Sequence, residues 1–212
     1  MKIYTLQLGP IQANCYIVQT APDRCIAVDI GGDSRRFLDF IAGKGLSLRK
    51  ILLTHGHFDH MLGVEEVRKA TGAEVYVHTD DAKMLVSPEY SLFEGFGMSG
   101  SFPAVSDYTA VFGDCWINDG DCSFKVIHTP GHSEGSVCYI CDDVMFSGDT
   151  LFNGSCGRTD LAGGNTTDLV NSLRHIYMID RDLKVYPGHG EESSLAYEKQ
   201  YNPYLSRFKG EL

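Results

Sequence analysis

The chain reads as an α/β protein in which several strands end in histidine or aspartate along one edge of the sheet. Two patterns and the length predict this. Short apolar runs recur along the whole chain, and in the first half they alternate with stretches of helical period. Four of these runs lead straight into a polar loop carrying His or Asp. Residues 51–53 precede Thr54-His55-Gly56-His57-Phe58-Asp59-His60, residues 123–128 precede Thr129-Pro130-Gly131-His132, residues 144–146 precede Ser147-Gly148-Asp149, and residues 183–186 precede Pro187-Gly188-His189-Gly190. An open or sandwiched α/β architecture collects such loops on one edge. At 212 residues the chain is long enough to bury a two-layer or four-layer core without disulfides.

Taken in order, strands are predicted over 3–8 and 15–20, joined through Gly9-Pro10, and over 25–28, where the chain leaves the sheet at Asp29-Ile30-Gly31-Gly32. The glycines permit a sharp turn, and Asp33 or Ser34 caps a helix running to about Ala42. Asp29 faces the same edge as His55. Two roles are open for it: holding the His-rich loop from behind, or plain solvation in a turn. The strand at 51–53 is followed by a helix over 59–70, a strand over 74–77, and a short helix capped by Thr79-Asp80. Residues 88–107 carry many aromatics and glycines without helical or strand period, the composition of a cover or binding loop. Strands resume over 111–112, 115–117, 123–128, 136–141, 144–146 and 183–186, and the tail from Glu191 to Leu212 is expected to form one helix and a polar end.

Three imidazoles and a carboxylate within six residues, at 55–60, point to metal. His55 and His57 sit at i and i+2, which in an extended or loosely turned backbone project to one side and can grip one cation. Asp59 and His60 follow a change of backbone direction and are free to serve a second one. Imidazole nitrogen with carboxylate oxygen suits zinc, iron or manganese, and the cluster contains no thiolate that would argue for a purely structural zinc. Of the eight histidines, His55, His57, His60, His132 and His189 lie at strand ends. His78, His128 and His175 have no such context and read as ordinary surface or core residues.

Composition excludes several partners. Hydrophobic residues at 43% and charged residues at 22% are ordinary for a soluble enzyme, and the formal net charge is -10 with no Lys/Arg run. A phosphate backbone or an anionic membrane surface would meet a repulsive field, so neither nucleic acid nor membrane is an expected partner. The start of the chain lacks the apolar core of a signal peptide and no stretch has the length of a membrane span, so a cytoplasmic protein is expected. Seven cysteines are an odd number spread through strand-like segments. Cys138 and Cys141 form a C-x-x-C on a strand rather than in a loop, so buried reduced thiols are expected, not a redox motif.

The series Thr54-His55-Gly56-His57-Phe58-Asp59-His60, Pro130-Gly131-His132, Gly148-Asp149 and Pro187-Gly188-His189-Gly190, with Asp29 upstream, resembles the metallo-β-lactamase-fold hydrolases over about residues 12–190. Within that superfamily, Leu8-Gly9-Pro10, Asn14-Cys15-Tyr16, Ser147-Gly148-Asp149-Thr150-Leu151-Phe152 and Cys156-Gly157-Arg158-Thr159-Asp160 resemble the glyoxalase II (hydroxyacylglutathione hydrolase) group, in its short bacterial form. The resemblance implies a four-layer αββα sandwich, one domain over 1–212 without the C-terminal helical domain of the longer enzymes. It implies two divalent transition-metal ions, zinc first with iron or manganese as alternatives. His55, His57 and His132 would hold one, Asp59, His60 and His189 the other, and Asp149 would bridge them. Two ions about 3.5–4 Å apart can share a water and bring its pKa towards about 7, with Asp59 as the base that takes its proton. Arg158 would meet a substrate carboxylate, or else form an ion pair with Asp160.

The expected substrate is a small-molecule thiolester such as a hydroxyacylglutathione. A persulfide dioxygenase with a single iron is the rival enzyme, since that group also resembles the chain around Cys156-Gly157-Arg158-Thr159-Asp160. A non-catalytic metal-binding module would need a missing ligand, and none is missing.

Overall fold

The computed structural model describes residues 1–210 and contains two six-stranded sheets packed face to face, each with helices on its outer side. The first half of the chain supplies β1 (Lys2–Leu8), β2 (Ala13–Ala21), β3 (Arg24–Val28), α1 (Ser34–Gly43), β4 (Ser47–Leu52), α2 (Phe58–Met61), α3 (Val64–Thr71), β5 (Glu74–His78), a 3₁₀ helix over Thr79–Val86, and β6 (Thr109–Val111). The second half supplies β7 (Cys115–Asp119), β8 (Cys122–His128), β9 (Val137–Cys141), β10 (Val144–Gly148), the short hairpin β11 (Leu151–Phe152) and β12 (Ser155–Cys156), α4 (Thr166–Tyr177), β13 (Lys184–Pro187), β14 (Ser193–Ser194), α5 (Leu195–Tyr201) and a 3₁₀ turn over Ser206–Phe208. The sheet orders are β1-β2-β3-β4-β5-β6 and β14-β13-β10-β9-β8-β7.

Side-chain alternation explains the layers. In β4 and the residue after it, Ile51 and Leu53 join the core beneath α1 and α3, with Phe37, Ile41, Val64 and Val67, whereas Leu52 points between the sheets. There it meets a layer built from Tyr16, Val18, Ile26 and Val28 on one side and Phe124, Val126, Tyr139 and Phe146 on the other. In β8 the next residue, Ile127, faces the opposite way and packs with Leu169, Leu173 and Ile176 of α4 and with Leu195 of α5. Strands β4 and β8 thus bury apolar side chains on both faces. The result is the helix–sheet–sheet–helix sandwich expected for the fold.

Strand direction places the site. Strands β3 to β6 run parallel, so β3, β4 and β5 release their C-terminal loops on the same edge. In the other sheet β8 and β10 are both antiparallel to β9, and β13 is parallel to β10, so these three end together as well. Crevices beyond the carboxyl ends of strands are where open α/β sheets build sites.

Several expectations need correction. The helix over 59–70 is broken in two, because the chain at Gly63 runs against Ile30: a Cβ there would lie 2.6 Å from Ile30 Cγ2, and the Gly63 N–H donates to the Ile30 carbonyl at 2.9 Å. Asp33 occupies the cap position of α1 but does not cap it with its side chain, which instead accepts the Gly9 N–H at 2.9 Å. The tail contributes a strand before its helix, with Ser193 and Ser194 pairing to β13; residues 211–212 of that prediction lie outside the described ones. Helix α4 has no counterpart in the sequence reading, although Asn165 caps it by accepting from Thr167 N at 2.9 Å and Asp168 N at 3.2 Å.

The cysteines are all free, with Cys138 and Cys141 in β9 as expected, but Cys115, Cys122 and Cys156 are only half-buried. No helix among the described residues is long and apolar enough to cross a membrane.

Candidate metal centre

The loop after β4 brings His55, His57, Asp59 and His60 to the sandwich edge, all four buried. The loops after β8, β10 and β13 bring His132, Asp149 and His189 to meet them. One ligand atom from each of His55, His57 and His132 lies within 4.8 Å of the others, and the same is true of Asp59, His60 and His189, and of His55, His60 and Asp149. His57 Nδ1 is 3.0 Å from His132 Nε2, and His60 Nε2 is 3.2 Å from His189 Nε2. His189 Nε2 is 3.1 Å from Asp59 Oδ2. Asp149 lies between the two groups, with Oδ1 3.5 Å from His60 Nε2 and Oδ2 3.5 Å from His132 Nε2.

Two tests show that these residues suit cations. Among the described residues, His55 Nε2, His57 Nε2 and Asp149 Oδ1 are buried without a hydrogen-bond partner. Leaving such an atom unmatched costs about 1–3 kcal/mol, and two of the three, His55 Nε2 and Asp149 Oδ1, belong to the group formed with His60. The electrostatics agree. Burial, reinforced by the neighbouring rings, lowers His55 well below its ordinary value and brings His57 down to about 3, so both are neutral with lone pairs to give. Burial would lower His60 too, but the carboxylates of Asp59, Asp149 and Asp29 outweigh it and push that ring up to about 10. Burial raises Asp59, yet His60, His189 and His57 together hold it well below the usual carboxylate range. The carboxylate side of the pocket, around His60, therefore favours positive charge, while His55 and His57 stay neutral donors.

Asp29 sits behind the His-rich loop and is bonded to it. It is buried, with Oδ1 accepting the Thr54 N–H at 2.8 Å and Oδ2 accepting the Thr54 hydroxyl at 2.7 Å and His60 Nδ1–H at 2.9 Å. Since the Thr54 hydroxyl proton goes to Asp29, Thr54 Oγ1 accepts from His55 Nδ1, 3.1 Å away. One carboxylate thus holds Nδ1 of His60 directly and Nδ1 of His55 through Thr54, so that Nε2 is the atom each ring turns towards a cation. Asp29→Asn is expected to weaken metal affinity by about 10–100-fold, measured by competition with a chromophoric chelator. Unchanged affinity would reduce Asp29 to a turn former.

Other positioning groups were given no such role from the sequence, although Asn14 and Tyr16 belong to a motif quoted above. Asp81, buried at the foot of the 3₁₀ helix, accepts from Gly56 N at 2.9 Å, Ser133 Oγ at 2.6 Å and Gly135 N at 2.7 Å, tying the His55–His57 loop to the His132 loop. Its only sequence signal is a carboxylate shortly after an apolar strand. Asn14 and Tyr16 clamp the His189 loop, with Asn14 Nδ2 donating to the carbonyls of Pro187 at 3.0 Å and Gly190 at 2.9 Å and Tyr16 OH donating to Pro187 at 2.6 Å. His132 donates Nδ1–H to the Arg158 carbonyl at 2.8 Å. Two glycines permit this crowding: a Cβ at Gly188 would fall 2.2 Å from Asp149 Oδ1, and one at Gly157 would fall 1.9 Å from the Asp149 carbonyl.

A cavity of about 360 Å³ opens over the centre, walled by Ile11, Leu92, Phe96, Phe152 and Leu161, with Arg158 at its rim. The aromatic loop forms part of that wall and is held in place. Ser91 O accepts from Phe58 N at 2.9 Å, and the rings of Phe93 and Phe96 pack against Phe58 with centroids 6.3 and 5.4 Å away. Arg158 makes a bidentate pair with Asp160, at 2.6 and 2.7 Å, while its side chain remains 56% exposed.

Sequence comparison finds a Bacillus subtilis protein named as a probable metallo-hydrolase, YqgX, 36% identical over 98% of this chain and 99% of its own. The Haemophilus influenzae hydroxyacylglutathione hydrolase GloC is 29% identical over 97% and 99%. Among solved structures, the BLEG-1 B3 metallo-beta-lactamase superposes with a TM-score of 0.89 at 34% identity, over 97% of this chain and 100% of that one. TTHA1623 in a di-iron-bound form gives 0.85 at 32%, over 95% and 100%. ETHE1 from Myxococcus xanthus gives 0.78 at 25%, over 98% and 89%. The family model for the metallo-beta-lactamase superfamily matches residues 8–189, a span that holds every residue of the centre, and the chain belongs to that superfamily.

Proposed function

We propose that the protein is a thiolester hydrolase of the glyoxalase II group that works with two divalent ions. The observation that carries this reading is that two three-residue groups are complete, with Asp149 directed at both. His55, His57 and His132 would hold one ion, and Asp59, His60 and His189 the other. When bound, a pair of such ions supplies an acidified water and a polarised substrate carbonyl. The donor set of nitrogen and oxygen suits zinc, and also iron or manganese. Seven free thiols fit a reducing compartment, in keeping with a cytoplasmic enzyme.

The chain's own groups do the rest. Asp59, in the cavity lining with its carboxylate turned to His189, orients the attacking water and accepts its proton. The apolar wall of Leu92, Phe96, Phe152 and Leu161 covers the acyl group and keeps bulk water from it. Arg158 is the one Lys or Arg side chain lining the cavity among the described residues, and it offers a carboxylate-bearing substrate a charge-assisted contact. Arg158→Ala is expected to raise KM for anionic thiolesters several-fold, as loss of an exposed charge-assisted contact should, while sparing neutral ones. Equal losses on both would make the pair with Asp160 a purely structural one.

The reading is tested by following free thiol released from S-lactoylglutathione and smaller thiolesters under argon. Turnover without oxygen is expected. Oxygen uptake with a glutathione persulfide, and no thiol release, would assign the dioxygenase chemistry instead. Faster turnover of a β-lactam than of any thiolester would move the substrate class to that named for BLEG-1.

A further inference from the structure

Two polar side chains of the tail are fully buried and lie outside the centre just described: Glu198 in α5, and Asn202, the residue that ends it. Acids and amides reach such burial only when they are bonded. Both reach the hairpin β11–β12. Glu198 Oε2 accepts the Gly154 N–H at 2.9 Å, and Asn202 Nδ2 donates to the carbonyls of Phe152 at 3.3 Å and Ser155 at 2.9 Å. Other bonds lock the two side chains to each other and to the tail. Asn202 Nδ2 also donates to Glu198 Oε2 at 2.7 Å, the Ser193 hydroxyl donates to Glu198 Oε1, and Asn202 Oδ1 accepts the Tyr204 N–H at 2.9 Å. A backbone N–H only donates, so this last bond fixes the amide with Nδ2 towards the hairpin.

A hairpin of two residues a strand does not hold its own shape. Its base is anchored at the metal centre, where the Leu151 carbonyl accepts from Ser147 Oγ at 2.7 Å and Gly157 packs against the Asp149 carbonyl. Its tip is anchored by the tail, through the three bonds from α5 and a fourth from Asn153 Nδ2 to the Glu192 carbonyl at 3.3 Å. The hairpin lines the cavity with Phe152, Ser155 and Cys156. The Phe152 ring stands edge-on to His189, with centroids 6.5 Å apart and planes at 81°. An apolar pair at 198 and 202 would fill the same space without the cost of burying polar groups, but would offer the tip no bond from the tail.

We propose that Glu198 and Asn202 are positioning residues of the acyl subsite. By fixing the hairpin tip they hold Phe152 as the cavity wall beside His189, and this sets how well the cavity takes a bulky apolar acyl group. For its substrate this role rests on the thiolester reading. Because the base of the hairpin is anchored separately, loosening the tip displaces the wall and leaves the metal ligands in place.

The test compares the benzoyl and acetyl thiolesters of glutathione on metal-loaded protein, with hydrogen exchange followed in the peptide spanning residues 150–158. The wild type is expected to show the lower KM for the benzoyl ester. In Asn202→Ala, exchange in that peptide should quicken about tenfold or more, metal content should stay at the wild-type level, and the KM advantage of the benzoyl ester should shrink several-fold. Phe152→Ala, at a half-buried position, should lose the same advantage. Glu198→Asp, which draws the carboxylate back from Gly154 without emptying the site, should act in the same direction as Asn202→Ala, and Glu198→Gln, which keeps an oxygen for Gly154 and turns its amide to the Ser193 hydroxyl, should stay near the wild type. An advantage that is absent from the wild type, or unchanged in Asn202→Ala and Glu198→Asp, would overturn the proposal, since a tail that only stabilised the fold would leave it untouched. If no thiolester is turned over, the thiolester reading falls by itself, and the wall is read from the affinities of S-benzylglutathione and S-ethylglutathione. A preference for the benzyl thioether that Asn202→Ala reduces supports the role of the tail; no preference, or one that Asn202→Ala leaves intact, overturns it.

Discussion

Asp149→Ala is expected to lose most of both ions and at least about a hundred- to a thousandfold in kcat/KM, the scale on which removing a single charge-stabilising group acts. Its Oδ1 lies 3.5 Å from His60 and its Oδ2 lies 3.5 Å from His132 and 3.8 Å from His189, so the carboxylate reaches both groups. Among the described residues no other carboxylate is so placed: Asp59 Oδ2 is 3.1 Å from His189 and 3.6 Å from His60, both in its own group. Removing Asp149 also leaves five imidazoles facing one another with less negative charge to hold cations among them. Elemental analysis of the variant, beside its turnover, checks this. A variant that retained both ions would place the bridging role on Asp59 or on water.

Asp59→Asn should separate binding from chemistry. An amide oxygen remains available to a cation, but it cannot take a proton, so kcat should fall on the order of a hundredfold or more with much of the metal retained. Steady-state kinetics on variant protein reconstituted to the wild-type metal content gives the answer. Near-normal kcat would remove Asp59 from the base role and leave it as a ligand and an orienting group.

What was legible in the sequence follows the physics of each feature. The centre was legible because its residues are short-range strings at strand ends, where apolar period gives way to Gly, Pro and His; all seven proposed ligands meet at one edge. The break at Gly63 was not, because it depends on Ile30, a residue 33 positions earlier brought alongside by the parallel pairing of β3 and β4. The role of Asp81 was hidden for the same reason, since its partners Gly56, Ser133 and Gly135 are 25 to 54 residues away. His78 and His128 were each unremarkable in their local strings, and only the apposition of the two sheets stacks them. Helix α4 was missed although Asn165 before Thr166 and Thr167 is a recognisable cap and Leu169, Leu173 and Ile176 form an apolar stripe beyond it. That signal was local and available.

The metal content of protein purified without added metal bears most directly on the two-ion centre. Two tightly held divalent ions per chain are expected after desalting, both reduced in Asp149→Ala and one selectively reduced in His60→Ala. A single tightly held iron, indifferent to substitution of Asp59 and His60, would contradict a two-ion hydrolase and leave the second group without a ligand to serve.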